Sequence, residues 1–251
     1  MADRLPNLPA DIPRNHHVLA SRGRGRCGYL RGKVLLYIVR VSDAEAQWND
    51  AVKAQFNNHV QDCLQWASKE SAAYPHPVQL SAVYRDVRIS NAFDFKNAFQ
   101  RDKLLYKLDG VANAAELQLT VRRKYHVDSV ALVFAFNYSL RGHAYAADVA
   151  FIDSGMNEIS YISATDIKRP VLIHEVFHQY GAEDFYYPPA YVNACQKHFG
   201  ESIMLHTSRK VDPLTAYLIG WTDTPSAAAV AFLRDTASVT REEVIEARRK
   251  S

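Results

Sequence analysis

Two histidines and a glutamate in residues 174–178 have the types and spacing that metal-dependent hydrolysis requires. His174 and His178 are four residues apart, so a helix would place both imidazoles on one face, where they could bind one ion. Glu175 would point to a different side of that ion and could act as a general base without being a ligand. The apolar neighbours in Val171–Phe177 would partly desolvate the site and so strengthen electrostatic effects there.

A third ligand is expected just after this helix. Gly181 lies three residues after His178, where glycine can end a helix in a left-handed turn, and Asp184 follows three residues later. Three protein ligands plus a water are typical of catalytic zinc, so Zn²⁺ is the expected cofactor and Asp184 the expected third ligand. Glu201, which lies 23 residues after His178, and Glu183 are the alternatives.

The spacing of His174, Glu175, His178, Gly181 and Asp184 resembles the extended zinc motif of the metzincin metallopeptidases, in the aspartate variant of snapalysin-type bacterial proteases. A second segment, Glu201-Ser202-Ile203-Met204-Leu205-His206, resembles the metzincin Met-turn, whose methionine lies beneath the metal. The chain has three methionines, so one placed there is informative. The resemblance covers about residues 33–221, but only these two motifs are specific.

The resemblance implies a zinc endopeptidase that acts on protein or peptide substrates. Glu175 would be the general base. His206 occupies the position where many metzincins have a tyrosine ligand, so it could stabilise the oxyanion, bind metal, or do neither. Metzincins bind substrate as an added antiparallel strand, and the candidate edge here is 142–150. Substrate contacts are expected along that edge at Gly142, His143 and Ala144.

Other residues near the motif have two interpretations. Tyr187, with Tyr186 and Tyr191, could contact substrate or pack around a loop, since tyrosine suits both roles. By resemblance, residues towards Asp212 and Leu214 would form a wall of the substrate pocket.

Alternating strand and helix patterns should position these residues. Strands are expected at Lys33–Val41, Val78–Ile89, Val127–Tyr138 and Glu158–Ser163. Helices are expected from a Ser42–Glu45 capping box to Ser71, at Val111–Tyr125, Asp166–Tyr180, Pro213–Trp221 and Ala227–Asp235, and after a Thr240–Glu243 capping box. The order predicts an α+β fold with a twisted, mixed, mostly parallel sheet, an active-site helix and a mainly helical C-terminal subdomain.

The first 32 residues are predicted to be a basic, flexible extension of a metallopeptidase domain spanning 33–251, whose subdomains would be 33–181 and 182–251. Residues 1–33 contain seven Arg or Lys against two Asp, whereas the rest of the chain is slightly negative. Arg26-Cys27-Gly28 resembles the core of the matrixin cysteine switch. One hypothesis is therefore that Cys27 is a latency ligand for the zinc; the other is that it is an ordinary cysteine of the extension.

Composition sets further limits on the protein. Hydrophobic residues make up 48% and charged residues 23%, as in ordinary globular domains, and the apolar runs are too short to span a bilayer. No apolar leader is visible, and an odd number of cysteines favours free thiols. These features predict a cytoplasmic protein without a membrane partner, with export by another route left open. They do not indicate an oligomeric state.

Three other functions remain open. One is an inactive zinc-binding interaction module, against which the intact Glu175 argues. Another is nucleic-acid binding through the basic extension, which the negative charge of the body disfavours. The third is hydrolysis of a non-peptide amide at the same metal. The sequence does not indicate which substrate is cut.

Overall fold

A five-stranded sheet in the order β2-β1-β3-β5-β4 is the framework of the computed structural model, which describes residues 5–44, 47–91, 98–137, 145–146, 159–164, 170–206 and 208–250. The strands are β1 (Gly32–Ser42), β2 (Val78–Arg88), β3 (Ser129–Phe136), β4 (Tyr145–Ala146) and β5 (Ile159–Ser163). The pairs β1–β2, β1–β3 and β3–β5 are parallel, and β4 pairs antiparallel with β5. The predicted α+β class and mostly parallel sheet are confirmed.

The central strands are apolar along their length because both faces of the sheet are covered. Successive side chains of a strand point to opposite faces, and those of β1 enter two separate cores. Leu36 and Ile38 lie in the core that also contains residues of α1 (Asp50–Ser71). Leu35 and Tyr37 lie in the other core, with residues of α2 (Ala98–Asp109) and α3 (Ala114–Tyr125).

The C-terminal part is helical, as predicted. It follows the short helix α4 (Val171–Gln179) and contains α5 (Pro189–His198), α6 (Ile203–His206), α7 (Pro213–Leu218), α8 (Ala227–Asp235) and α9 (Arg241–Lys250). The Thr240–Glu243 capping box is confirmed, because the backbone N–H of each residue donates to the side chain of the other, at 2.7 and 3.2 Å. None of the helices in the described part of the chain combines the length and apolar character needed to cross a membrane.

The predicted start of α1 is wrong. Ser42 does not cap a helix; it is the last residue of β1 and pairs with Arg88 of β2. The helix begins at Asp50, where the Asn49 side chain accepts a hydrogen bond from Val52 N at 2.9 Å. The helix α4 begins at Val171, and the earlier part of its predicted range, 166–169, lies outside the described residues.

The prediction of a flexible N-terminal extension is also wrong for residues 5–31. Several of its apolar side chains are buried in the core: Leu5, Leu8, Ile12, Val18, Leu19 and Leu30. The guanidinium of Arg22 is fully buried and lies over the rings of Tyr29 and Tyr217, at 4.9 and 4.2 Å from their centroids. Its Nε donates to the Tyr217 carbonyl at 2.8 Å, so this segment is fixed to α7.

Candidate metal centre

Helix α4 is held against the sheet by apolar packing and by one glutamine. Four of its apolar side chains are fully buried: Leu172, Ile173, Val176 and Phe177. The Gln179 amide donates to the Leu132 carbonyl at 2.9 Å and to Ser160 Oγ at 2.6 Å, and its oxygen accepts from Leu132 N at 3.2 Å. These bonds tie the last turn of α4 to β3 and β5, so the helix offers the two histidines a rigid base.

The chain leaves α4 through a glycine that no other residue could replace without strain. Gly181 has a φ of +96°, which L side chains rarely adopt. A Cβ built there would lie 2.7 Å from the Ser21 carbonyl oxygen, so the N-terminal segment also occupies the space that a side chain needs. The reversal brings Asp184 back beside both histidines, as the motif predicts.

The three expected ligands converge on one point. Nε2 of His174 lies 3.2 Å from Nε2 of His178, and Oδ1 of Asp184 lies 3.3 and 3.1 Å from these two nitrogens. A tetrahedral zinc with bonds of about 2.0–2.1 Å would hold neighbouring ligand atoms about 3.3 Å apart. The spacing of the three atoms therefore suits one small tetrahedral cation, and two imidazoles with a carboxylate are a donor set that zinc accepts.

Backbone carbonyls determine which nitrogen of each ring faces the cluster. Nδ1 of His174 lies 2.9 Å from the Ile203 carbonyl oxygen, and Nδ1 of His178 lies 2.9 Å from that of Ala182. Since a carbonyl only accepts, each Nδ1 must carry the proton in these contacts. When neutral, each ring then presents an Nε2 lone pair to the centre of the cluster, as a metal ligand requires.

The charges of the cluster also suit a cation. Asp184 Oδ1 is buried and accepts no hydrogen bond of good geometry within the described residues; its polar neighbours are the two Nε2 atoms. Burial opposes ionisation of Asp184, but the nearby histidines hold the pKa of its carboxyl well below the ordinary value. Burial would lower the pKa of His178, yet the Asp184 charge outweighs it and raises that pKa. A positive charge between these groups is therefore favoured.

The glutamates of the region occupy different places. Glu175 is buried, and its Oε1 lies 3.9 Å from His174 Nε2, beside the cluster but outside the group of converging ligand atoms. Glu183 is buried with an Oε1 atom 3.9 Å from His17 Nε2. Glu201 is exposed and does not belong to the cluster. Among the three candidates for third ligand, the geometry favours Asp184.

The turn that contains Met204 is joined to the ligand region by hydrogen bonds. Met204 is fully buried, its carbonyl accepts from Phe185 N at 2.9 Å, and its N–H donates to Ser202 Oγ at 3.0 Å. Ser202 Oγ in turn donates to Asp212 Oδ2 at 2.5 Å. Asp212 is fully buried and caps α7. It therefore holds this turn and does not form the pocket wall that was expected of it.

The three tyrosines after the motif have separate surroundings. The ring of Tyr186 is 45% exposed and stacks parallel to His174, with centroids 6.4 Å apart. Burial of its phenol and the Asp184 charge raise the pKa of Tyr186, so it keeps its proton at neutral pH. The Tyr187 hydroxyl lies 3.5 Å from Asp184 Oδ2. Tyr191 is fully buried against Phe232 and is therefore a core residue.

Other expected site residues lie elsewhere or outside the described part. Gly142, His143 and Ala144 are not among the described residues; the neighbouring β4 is an edge strand, antiparallel to β5. His206 is exposed at the end of α6 and is not a member of the ligand cluster.

The structure does not support the latency hypothesis for Cys27. Its buried sulfur lies 3.4 Å from the Val130 carbonyl oxygen and 3.4 Å from Gln118 Nε2, and it does not belong to the histidine cluster. The residue therefore packs against β3 and α3 instead of reaching the open side of a metal.

Comparison with known proteins identifies no family, since neither a protein-family model nor a curated protein matches the chain.

The residues that support the ligands were not predicted from the sequence. Ile203 and Ala182 act through their backbone carbonyls, which every residue type has, so their identity does not indicate this role. The pair Asp212-Pro213 did carry a signal, because an aspartate before a proline is typical of a helix start.

Proposed function

We propose that this chain is a zinc-dependent endopeptidase of the metzincin type. The observation that carries the proposal is the convergence of His174, His178 and Asp184, with both Nδ1 atoms engaged by backbone carbonyls. Such a set offers three protein ligands and leaves the remaining side of the ion for water or substrate, which distinguishes catalytic from structural zinc sites. Zinc bound there would polarise a substrate carbonyl and lower the pKa of a coordinated water.

Glu175 is the proposed general base. Its carboxylate is buried 3.9 Å from His174 Nε2, close enough to reach a water beside the ligands and displaced from their point of convergence. In this role Glu175 takes a proton from the attacking water and passes it to the leaving amine. The fully buried side chains of α4 keep the surroundings poor in water, which strengthens each electrostatic contact of the carboxylate.

We propose that Tyr186 donates a hydrogen bond to the substrate. It is partly exposed, stacks on a ligand ring and retains its phenolic proton at neutral pH. A donor aimed at the developing negative charge of a tetrahedral intermediate contributes directly to rate. This proposal gives Tyr186 the oxyanion role that was one of the three alternatives for His206.

The sheet edge supports a peptide as the substrate. Among the described residues, β4 pairs with β5 alone and lies at the end of the sheet order, and we propose that its other side adds an extended peptide in β-fashion. Backbone pairing at an open edge does not require a chain terminus, and we therefore propose internal cleavage of extended segments. The packing of residues 5–31 onto the core weakens the alternative of nucleic-acid binding through a free basic tail.

The test compares the wild type with Glu175→Gln, and uses Glu201→Gln as an exposed control. Zinc content is measured by metal analysis, and cleavage is measured by mass spectrometry of a peptide library. We expect one zinc per chain in all three proteins and loss of cleavage by at least about a hundredfold in Glu175→Gln alone. Absence of zinc from the wild type, with none taken up on titration, would overturn the proposal. Zinc without cleavage of any peptide would instead support the inactive interaction module.

A further inference from the structure

A cavity of about 530 Å³ lies between the N-terminal segment, α3 and the start of β3. None of its lining residues belongs to the His174–His178–Asp184 cluster. Its volume is within the range of small-molecule sites. Three arginines from two separate parts of the chain line it, namely Arg26, Arg31 and Arg122.

The lining of the cavity is net positive. Asp128 is the single carboxylate among the lining residues, and its Oδ2 already accepts a hydrogen bond from Lys33 N at 2.8 Å. The guanidinium of Arg31 lies over the Tyr29 ring, 4.6 Å from its centroid, and its Nη1 lies 3.7 Å from Oδ1 of the partly exposed Asp223. These contacts leave some of the five N–H donors of Arg31 for a ligand. Guanidinium groups match carboxylate and phosphate oxygens in geometry as well as in charge.

One wall of the cavity is apolar. Leu119 projects from α3 with 53% of its surface exposed, and Ala115 lies one turn before it. The Tyr29 ring also lines the cavity. A ligand that fits this lining has an apolar body as well as an anionic group.

We propose that this cavity binds a small organic anion. Its carboxylate or phosphate group is held by Arg26 and Arg122, and its apolar body lies against Leu119 and Tyr29. This proposal does not depend on the proposed peptidase activity, because none of the residues that would contact the anion is a proposed metal ligand.

Isothermal titration of the full-length protein tests the proposal with four probes: phenyl phosphate, benzoate, inorganic phosphate and the neutral benzyl alcohol. Each titration uses dialysed metal-free protein and zinc-loaded protein, so that anion binding to a metal is recognised. We expect saturable binding of phenyl phosphate or benzoate at equal affinity in both forms, about tenfold weaker binding of inorganic phosphate, and none of benzyl alcohol. The better of the two aromatic anions identifies the preferred acidic group.

Variants locate the binding. Arg122→Gln and Arg26→Gln should each weaken it about tenfold, whereas Arg123→Gln, an exposed neighbour that does not line the cavity, should not. Leu119→Ser should remove the advantage of phenyl phosphate over inorganic phosphate. The proposal is overturned if neither aromatic anion binds saturably below roughly 10 mM. It is equally overturned if Arg123→Gln weakens binding as much as the two lining variants do, or if binding requires zinc.

Discussion

The backbone carbonyl of Ile203 accepts a hydrogen bond from Nδ1 of His174 at 2.9 Å. Ile203 lies between Ser202 and Met204, and the Met204 carbonyl accepts from Phe185 N at 2.9 Å, one residue beyond Asp184. The turn formed by Ser202, Ile203 and Met204 therefore contacts the side chain of one ligand, His174, and the backbone next to another, Asp184. The hydrogen bond from Ser202 Oγ to the buried Asp212 fixes that turn.

Ser202→Ala should weaken zinc binding by about 10- to 100-fold, because supporting residues of this kind orient the ligands. Thr215→Val is the matched control: Thr215 Oγ1 also donates to Asp212 Oδ2, at 2.6 Å, but Thr215 belongs to α7 and not to the turn. Zinc affinity is measured by competition with a chromogenic chelator, alongside the stability of the metal-free proteins. Equal losses of zinc affinity in the two variants would show that the hydrogen bond from Ser202 to Asp212 has no specific effect on the ligands, and that Asp212 acts on the fold alone.

Asp184→Ala should reduce zinc affinity by more than about a hundredfold, since loss of a ligand costs more than loss of its support. Glu201→Ala should leave affinity unchanged, because Glu201 is exposed and outside the cluster. The same chelator competition ranks the two variants. A larger loss for Glu201→Ala would restore the alternative in which a downstream glutamate is the third ligand.

Zinc binding should release about one proton near neutral pH. In the metal-free protein the Asp184 charge overcomes the effect of burial and raises the pKa of His178, so this ring holds a proton that the metal must displace. Apparent affinity should consequently rise with pH up to that pKa. Calorimetry in two buffers of different ionisation enthalpy measures the proton count, and identical heats in both buffers would contradict the expectation.

Acid should destabilise the fold through His16. Burial, followed by the charge of His17, lowers the pKa of His16 to about 4, whereas an unfolded histidine has a pKa of about 6.5. Its Nδ1 accepts from Val18 N at 3.3 Å and its Nε2 lies 3.1 Å from Thr236 Oγ1, so a second proton would remove the acceptor. The unfolded state therefore binds the proton more readily, and the contribution of His16 is complete above about pH 6.5 and is lost as pH falls towards 4.

The loss between these pH values should reach about 3 kcal/mol of unfolding free energy. His16→Asn keeps an acceptor for Val18 N and should flatten this part of the pH profile. His126→Asn provides the control for replacing a histidine with asparagine, because His126 is exposed and Asn tolerates its positive φ. Urea unfolding at several pH values makes the comparison, and identical slopes for His16→Asn and the wild type would refute the role of His16.

Arg22→Lys should destabilise the protein by about 3 kcal/mol, because lysine cannot reproduce the contacts of a fully buried, stacked guanidinium. Arg24→Lys, at an exposed position of the same segment, should change stability by less than about 0.5 kcal/mol. Thermal and urea unfolding measure both variants. Equal stability of the two would mean that the N-terminal segment contributes little to the fold.

Local patterns predicted the parts of the molecule that local physics determines. The i, i+4 spacing of His174 and His178 requires only a helix, and the apolar run of β3 reflects a strand covered on both faces. The helix Ala227–Asp235 has the predicted bounds because a serine N-cap precedes a continuous run of helix-forming residues. The position of Asp184 beside the histidines was predictable because a glycine at position 181 indicates that the chain reverses there.

Contacts between distant residues were not predictable in this way. Arg22 looked like a residue of a solvated basic segment, yet its Nε donates to the carbonyl of Tyr217, 195 residues away. The apolar residues of the first 31 positions have no helical or strand periodicity, so nothing in their spacing indicated burial. Ser42 satisfied the pattern of a capping box, but pairing with β2 extended the strand instead.

The contacts between residues 7–16 and residues 224–236 have a consequence for synthesis on the ribosome. Asn7 bonds to Thr224, His16 to Thr236 and Asp11 to Arg234, so each residue of the earlier segment finds its partner more than two hundred positions later. Contacts this remote form late, because the intervening loop must close first. A nascent chain therefore cannot complete these contacts until residues 224–236 have left the ribosome, and the N-terminal segment stays without its final partners until then.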